Sequence, residues 1–172
     1  MFFELFPTVD YTNVGQITPK TVTNIMRRVG VRQAIKENLT VFTRHTIRSG
    51  ETPESIAFDF YGDAELHWII LLTNDIYDRY HQWPMNVNQF RAYVNEKYSD
   101  PFAVHHYEIT QTSGDTTIKI DIGQDNTDHG DATAVTNFEY EESRQDDLRQ
   151  IRLVDPAHVN QFVSDFARLM EE

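Results

Sequence analysis

The chain has 172 residues, no cysteine and a formal net charge of −12, with 40% hydrophobic and 12% aromatic residues. That length supports one good-sized domain or a small domain with extensions, and the lack of cysteine excludes disulfide staples, thiolate metal sites and a cysteine nucleophile. The charge is uneven, about −1 over residues 1–97 and −11 over residues 98–172, a field that repels phosphate backbones and argues against nucleic acid as a partner.

The first seven residues lack a basic start and meet Glu4 and Pro7 at once, so they do not read as a secretory signal. No run approaches the roughly 18 apolar residues that span a bilayer. Synthesis in a cytoplasm and no membrane partner are the expectations. Phe2, Phe3, Leu5, Phe6 and Tyr11 form an aromatic arm. Burying each such group is worth about 1.5–3 kcal/mol, so the arm packs either on its own domain or on a neighbour. Pro7, Gly15 and Pro19 leave little room for regular structure over 1–19. Thr21 to Val31 reads as a short helix with Val22, Ile25, Met26 and Val29 on one side, stopped by Gly30, and Ala34 to Leu39 leads into a strand. Residues 20–48 hold Lys20, Arg27, Arg28, Arg32, Lys36, Arg44 and Arg48 against Glu37 alone, a local +6. Basic and acidic patches on one chain suit head-to-tail or heterotypic docking; the alternative is two solvated faces of unlike charge.

Alternation then predicts a strand, with Val41, Thr43, His45 and Ile47 on one side and Phe42, Arg44, Thr46 and Arg48 on the other. Ser49-Gly50 breaks it. Thr52 before Pro53 is an N-cap with proline at the first helical position. Ile56, Phe60 and Tyr61 give this helix an apolar side, Gly62 ends it, and Asp63 caps a second helix with Leu66, Ile69, Ile70, Leu72 and Trp68. The aromatic exit Tyr77, Tyr80, His81 and Trp83 suits core packing, a protein anchor or stacking on sugar rings.

Asn86 and Gln89 have capping-box spacing and open a helix carrying Val87, Phe90, Tyr93, Val94 and Tyr98. Val104 to Thr110 and Thr116 to Ile122 flank Ser113-Gly114-Asp115 as a hairpin. Residues 123–137 read as an exposed polar loop. Leu148 to Val154 alternates as a strand and is expected to pair with residues 41–48, which makes 85–147 an insertion. Asp155 and Pro156 then start a helix with Val159, Phe162, Val163, Phe166, Leu169 and Met170 on one face.

Motifs for chemistry are weak. Asp125 to Asp131 has Gly130 at the sixth position of a calcium loop, but Thr136 stands where a bidentate glutamate belongs. His105 and His106 are adjacent, so on a regular strand they point to opposite faces and share no metal. Glu51, Glu54, Glu65, Asp75 and Asp78 fall at caps and helix ends, where carboxylates are expected for dipole reasons. No metal, cofactor or catalytic residue is assigned.

The strand into Ser49-Gly50-Glu51-Thr52, the Ile56-Ala57 helix start, the Tyr61-Gly62-Asp63 junction, Leu71-Leu72 and Asn74 resemble a LysM module, a small βααβ fold. Tyr61 to Trp68, Asn74 to Asp78, Trp83-Pro84, the Phe2-Phe3 start with Tyr11, Leu148 to Arg152 and the Leu169-Met170-Glu171 end resemble the LysM-containing baseplate wedge protein family of contractile-tailed bacteriophages. Residues 99–147 match least. The resemblance implies an α+β fold: an N-terminal arm and short helix (1–40), a LysM-like core (41–84), an insertion of helix, hairpin and acidic loop (85–147), and a closing strand with C-terminal helix (148–172). It implies a virion structural protein of the tail baseplate, with no reaction. Several copies around the tail axis would join neighbouring wedge proteins. Interface candidates are Phe2, Phe3, Phe6, Tyr11, Arg27, Arg28, Tyr77, Tyr80, Trp83, Phe162, Phe166 and Met170. The alternative from a different class is a module binding N-acetylglucosamine polymers of the cell wall.

Overall fold

The Thr52 hydroxyl accepts from the Ser55 amide at 3.2 Å while the Ser55 hydroxyl accepts from the Thr52 amide at 2.9 Å. This reciprocal cap starts helix α1 (Pro53–Tyr61), and Gly62 ends it at φ 78°, donating its amide to Phe58. Asp63 then caps a 3-10 turn (Ala64–Leu66) through the Glu65 amide at 2.8 Å, and the chain runs on into α2 (His67–Thr73) and the short α3 (Arg79–Gln82). The computed structural model describes residues 2–12, 15, 18–31, 41–111 and 118–171. The expected lead-in at Ala34 to Leu39, the basic residues Arg32 and Lys36, and the Ser113-Gly114-Asp115 turn lie outside the described residues, as does the side chain of Phe2.

The chain forms two compact units, Met1–Ile47 with Glu51–Gln82 and Gln150–Glu172, and Arg48–Gly50 with Trp83–Arg149. In the first unit, β3 (Phe42–Thr46) pairs antiparallel with β7 (Gln150–Val154), with Arg44 opposite Arg152. This is the long-range pairing expected from the two alternating segments. α1 and α2 pack beside it, and α6 (Pro156–Glu171) closes the core, in which Phe42, Trp68, Ile69, Val154, Val159, Phe166 and Met170 are buried. The rings of Trp68 and Phe166 pack there with centroids 4.6 Å apart.

The N-terminal region departs from the expected helix. Residues 21–23 lie in β2 (Lys20–Thr23), which pairs antiparallel with β1 (Thr8–Tyr11), and residues 24–31 form no helix. Three consecutive residues, Thr21, Val22 and Thr23, are β-branched, and strand pairing outweighs the weak helical spacing. A 3-10 turn (Phe2–Leu5) precedes β1, so 1–19 holds more regular structure than its prolines suggest.

In the second unit, α4 (Val87–Lys97) starts at the expected Asn86–Gln89 capping box. A three-stranded sheet has β4 (Val104–Thr110) between β5 (Lys119–Gly123) and β6 (Thr133–Thr136). Residues 124–132 form the expected exposed loop, but β6 takes residues 133–136 at its end, and helix α5 (Asn137–Arg149) takes residue 137 and the expected start of the last strand at Leu148. Phe138 of α5 packs edge-on to Phe90 of α4 at 5.2 Å, and the next turns of α5 bury Glu141 and Gln145. The β4–β6 register shifts between Val104 and His106, so His105 is an inserted residue.

Candidate protein interface

The surface that stands out is apolar and belongs to the first unit. At one place, Tyr77 and Tyr80 are 77% and 90% exposed. They sit on a turn ordered from within: Gln82 Oε1 accepts from the amides of Tyr77 at 2.7 Å and Asp78 at 2.8 Å, and Asp78 accepts from the Tyr80 amide at 2.9 Å and pairs with His81 at 2.5 Å. The His81 bond, then the Tyr80 amide, hold the Asp78 carboxyl below its ordinary range. Arg79 grips Glu54 of α1 with both guanidinium nitrogens, one of them at 3.0 Å. Burial pushes the Glu54 carboxyl up, but its own amide, Thr52 and Arg79 together bring it below the usual value. The rigid turn therefore presents its tyrosines outward at little entropic cost on binding. Phe58 of α1 is exposed as well.

The second apolar surface is the β1–β2 ribbon and the turn at residues 24–26 that follows β2. Thr21 donates to Asp10 at 2.7 Å across the ribbon, Asn24 donates its amide to Pro7 at 2.8 Å, and the Asn24 side chain accepts from the Met26 amide at 3.1 Å. Val9, Tyr11, Ile25 and Met26 are left exposed, Met26 at 84%. A two-stranded ribbon is marginal in water by itself. Its base is held by Phe6, whose ring meets Phe166 at 6.4 Å and Phe3 at 5.6 Å. An apolar groove of about 470 Å³ lies between Val29–Val31 and α6, with His158, Gln161, Asp165 and Arg168 among its polar lining residues.

The interface candidates therefore divide. Phe3, Tyr11, Tyr77, Tyr80 and Arg28 are exposed, and Phe6 and Arg27 are half-buried, Arg27 donating to the Leu169 carbonyl at 3.4 Å. Trp83, Phe166 and Met170 are corrected to core residues, 9%, 5% and 1% exposed, and Phe162 packs against Trp68 at 6.2 Å. An amphipathic α6 alone does not tell an internal apolar face from an external one; Trp68 of α2 and Phe6 pack on that face, in a core that also holds Phe42 and Val154. Ile25, Met26 and Phe58 were missed as surface residues; helical spacing had set the first two on one side of a short helix with Val22 and Val29.

Several carboxylates considered for catalysis are engaged structurally, Glu54 by Arg79, Asp78 by His81 and Glu51 by His45 at 3.3 Å. Among the described residues no group of three or more His, Asp or Glu stands close enough to hold a metal ion, and no helix is long and apolar enough to cross a membrane.

A family profile described as "Base plate wedge protein 53" matches residues 1–106. The baseplate wedge protein gp53 of Enterobacteria phage T4 is 25% identical over 192 residues, covering 100% of this chain and 97% of that protein. Two esterases of Mycobacterium tuberculosis are 49% identical over 37 residues, 22% of this chain and 8% of theirs.

Proposed function

Since the chain belongs to the base plate wedge protein 53 family, we propose that it acts there as a joint, its exposed aromatic surfaces holding neighbouring subunits together. It is a structural component of the phage tail baseplate wedge, located in the virion tail, and it associates with other baseplate proteins. The observation that carries this reading is coverage: the likeness to a baseplate wedge protein runs from one end of the chain to the other, whereas the likeness to the esterases spans 37 residues.

On this reading the chain runs no reaction and needs no cofactor. Residues 41–84 and 148–172 form a LysM-like scaffold, 85–147 is an insertion, and several copies stand around the tail axis. Phe3, Tyr11, Tyr77, Tyr80 and Arg28, joined by Ile25 and Met26, supply the contacts. Nucleic acid and membrane are not partners. The comparisons lend the glycan-binding alternative no support.

Quantitative mass spectrometry of purified tails tests the reading. The expected result is this chain at a fixed ratio to the other wedge proteins, with tyrosine-to-serine changes at 77 and 80 lowering that ratio. Its absence from tails, together with binding to N-acetylglucosamine oligomers, would overturn it.

A further inference from the structure

The bulge in β4 undoes the alternation of a regular strand and brings two adjacent imidazoles together. His105 Nδ1 and His106 Nδ1 stand 2.9 Å apart, with the rings at 86°. An N–H···N bond at that distance holds one proton between the two nitrogens. His106 is buried, and its Nε2 lies 3.3 Å from Glu108 Oε1, an acceptor, which assigns the Nε2 proton to His106 and leaves its Nδ1 lone pair for the Nδ1–H of His105. His105 in turn stacks flat on Tyr140 of α5, with centroids 3.9 Å apart and the rings at 11°.

We propose that the His105–His106 pair is a one-proton latch between β4 and α5, closed with no added proton or with one and opened by a second. The first added proton turns the N–H···N bond into an imidazolium–imidazole bond, which is charge-assisted and keeps the geometry. The second puts a hydrogen on both Nδ1 atoms, so that two donors and two positive charges face each other with no acceptor between them. The bond then breaks, and His105 leaves the Tyr140 stack.

The surrounding charges set the same limit. Glu108, from β4 itself, favours one positive charge, but its other oxygen is already met by Lys119 of β5 at 3.1 Å. From α5, the Arg144 guanidinium lies 5.8 Å from the Tyr140 ring centre, adding positive charge on that side. β6 brings Thr133, Ala134, Val135 and Thr136, none of them charged. Beyond β5, the Gln124 amide reaches the His105 carbonyl at 3.5 Å.

The test is a pH titration of the full chain labelled with 15N-histidine, using one- and two-bond proton–nitrogen correlations to read each ring nitrogen. The expected result is His105 protonated at Nδ1 and His106 at Nε2 at neutral pH. On acidification the first added proton should leave the His105–His106 bond and the Tyr140 ring-current shifts in place, and the second should abolish both. A single step with two independent rings overturns the proposal, as does a Tyr140 stack that survives with both rings charged. His105→Phe keeps the stacking surface and removes the nitrogen. It should retain the Tyr140 packing through the acid range in which the unaltered protein loses it. Loss of packing at the same pH in both proteins overturns the latch, and if the variant does not fold, the titration of the unaltered chain decides alone.

Discussion

Asn74 is bonded to both main-chain groups of Arg152: its side-chain amide donates to the Arg152 carbonyl and its Oδ1 accepts from the Arg152 amide, each at 2.8 Å. The same amide donates a second time, to the Ile70 carbonyl at 2.8 Å. One side chain thus acts as a rung of strand on the open edge of β7 while terminating α2. It fixes the register in which the last strand of the first unit lies against its helices.

Asn74→Ala removes all three bonds and is expected to cost about 2–3 kcal/mol in chemical denaturation, near 1 kcal/mol for each. Asn74→Asp aims a carboxylate at two carbonyl oxygens. Its stability should be lower at neutral pH than in mild acid, where the carboxyl regains a donor hydrogen.

The caps of α1 make a separable pair of predictions. Thr52→Ala leaves the Ser55 amide without its partner and is expected to cost about 1 kcal/mol. Gly62→Ala forces a β-carbon into the left-handed region at φ 78° and is expected to cost about 1 kcal/mol, although open space surrounds the position. Thermal unfolding of the two single variants measures both.

Glu141 is buried in the second unit, accepting from Lys97 Nζ at 2.7 Å and Tyr98 Oη at 2.8 Å. Burial pushes its carboxyl up, but the Lys97 and Tyr98 bonds outweigh this and leave it below the ordinary value of 4.5. The folded state therefore releases this proton more readily than the unfolded state. The stabilisation is fully present above pH 4.5 and is lost as pH falls through the lower folded value. In Lys97→Met, the unfolding free energy from chemical denaturation at pH 7 should drop by about 2 kcal/mol, with a smaller difference from the unaltered protein below pH 4.

At the other end of the scale, burial pushes the Tyr61 phenol up to about 12 from 10.0, with the Val154 main chain pulling the other way. The unfolded chain ionises first, so this contribution is intact below pH 10 and is lost between 10 and 12. Tyr61→Phe is expected to remove that alkaline slope from the stability profile.

Surface and core aromatics should behave in opposite ways. Phe166→Ala opens a cavity beside Trp68 and is expected to cost about 3–5 kcal/mol. Serine at 77 and 80 should change stability by less than about 0.5 kcal/mol while weakening association with other baseplate proteins in pulldown from assembled tails.

The parts of the fold legible from sequence are those written in local chemistry: the Thr52 and Asn86 capping boxes, the Gly62 stop, the Asp155 start of α6 and the alternation that pairs β3 with β7. α5 was illegible because its inward positions are Glu141 and Gln145, so no apolar stripe marks the helix. Its burial is compensated by Lys97, Tyr98 and the Met85 amide, partners more than 40 residues away in sequence. β6 was hidden in a polar stretch, and β2 carried enough apolar spacing to pass for a helix. Of the interface, exposed tyrosines in a turn were readable. The apolar face of α6 was readable as buried, against the core or against a partner, because helical periodicity shows that a face is buried without showing what covers it, and the bulge at His105 left no signal in the residue pattern.

The pairing of β3 with β7 also sets an order of events during synthesis. Thr46 has no strand partner until Gln150 has emerged from the ribosome, 104 residues later. The loop that must close is long, so the first unit folds slowly and late, while α4 to β6 have been translated already. A chain broken off within β6 or α5 carries neither β7 nor α6, and its Trp68 and Ile69 stay uncovered. A finished surface for the assembling tail therefore exists only once β7 and α6 have been made.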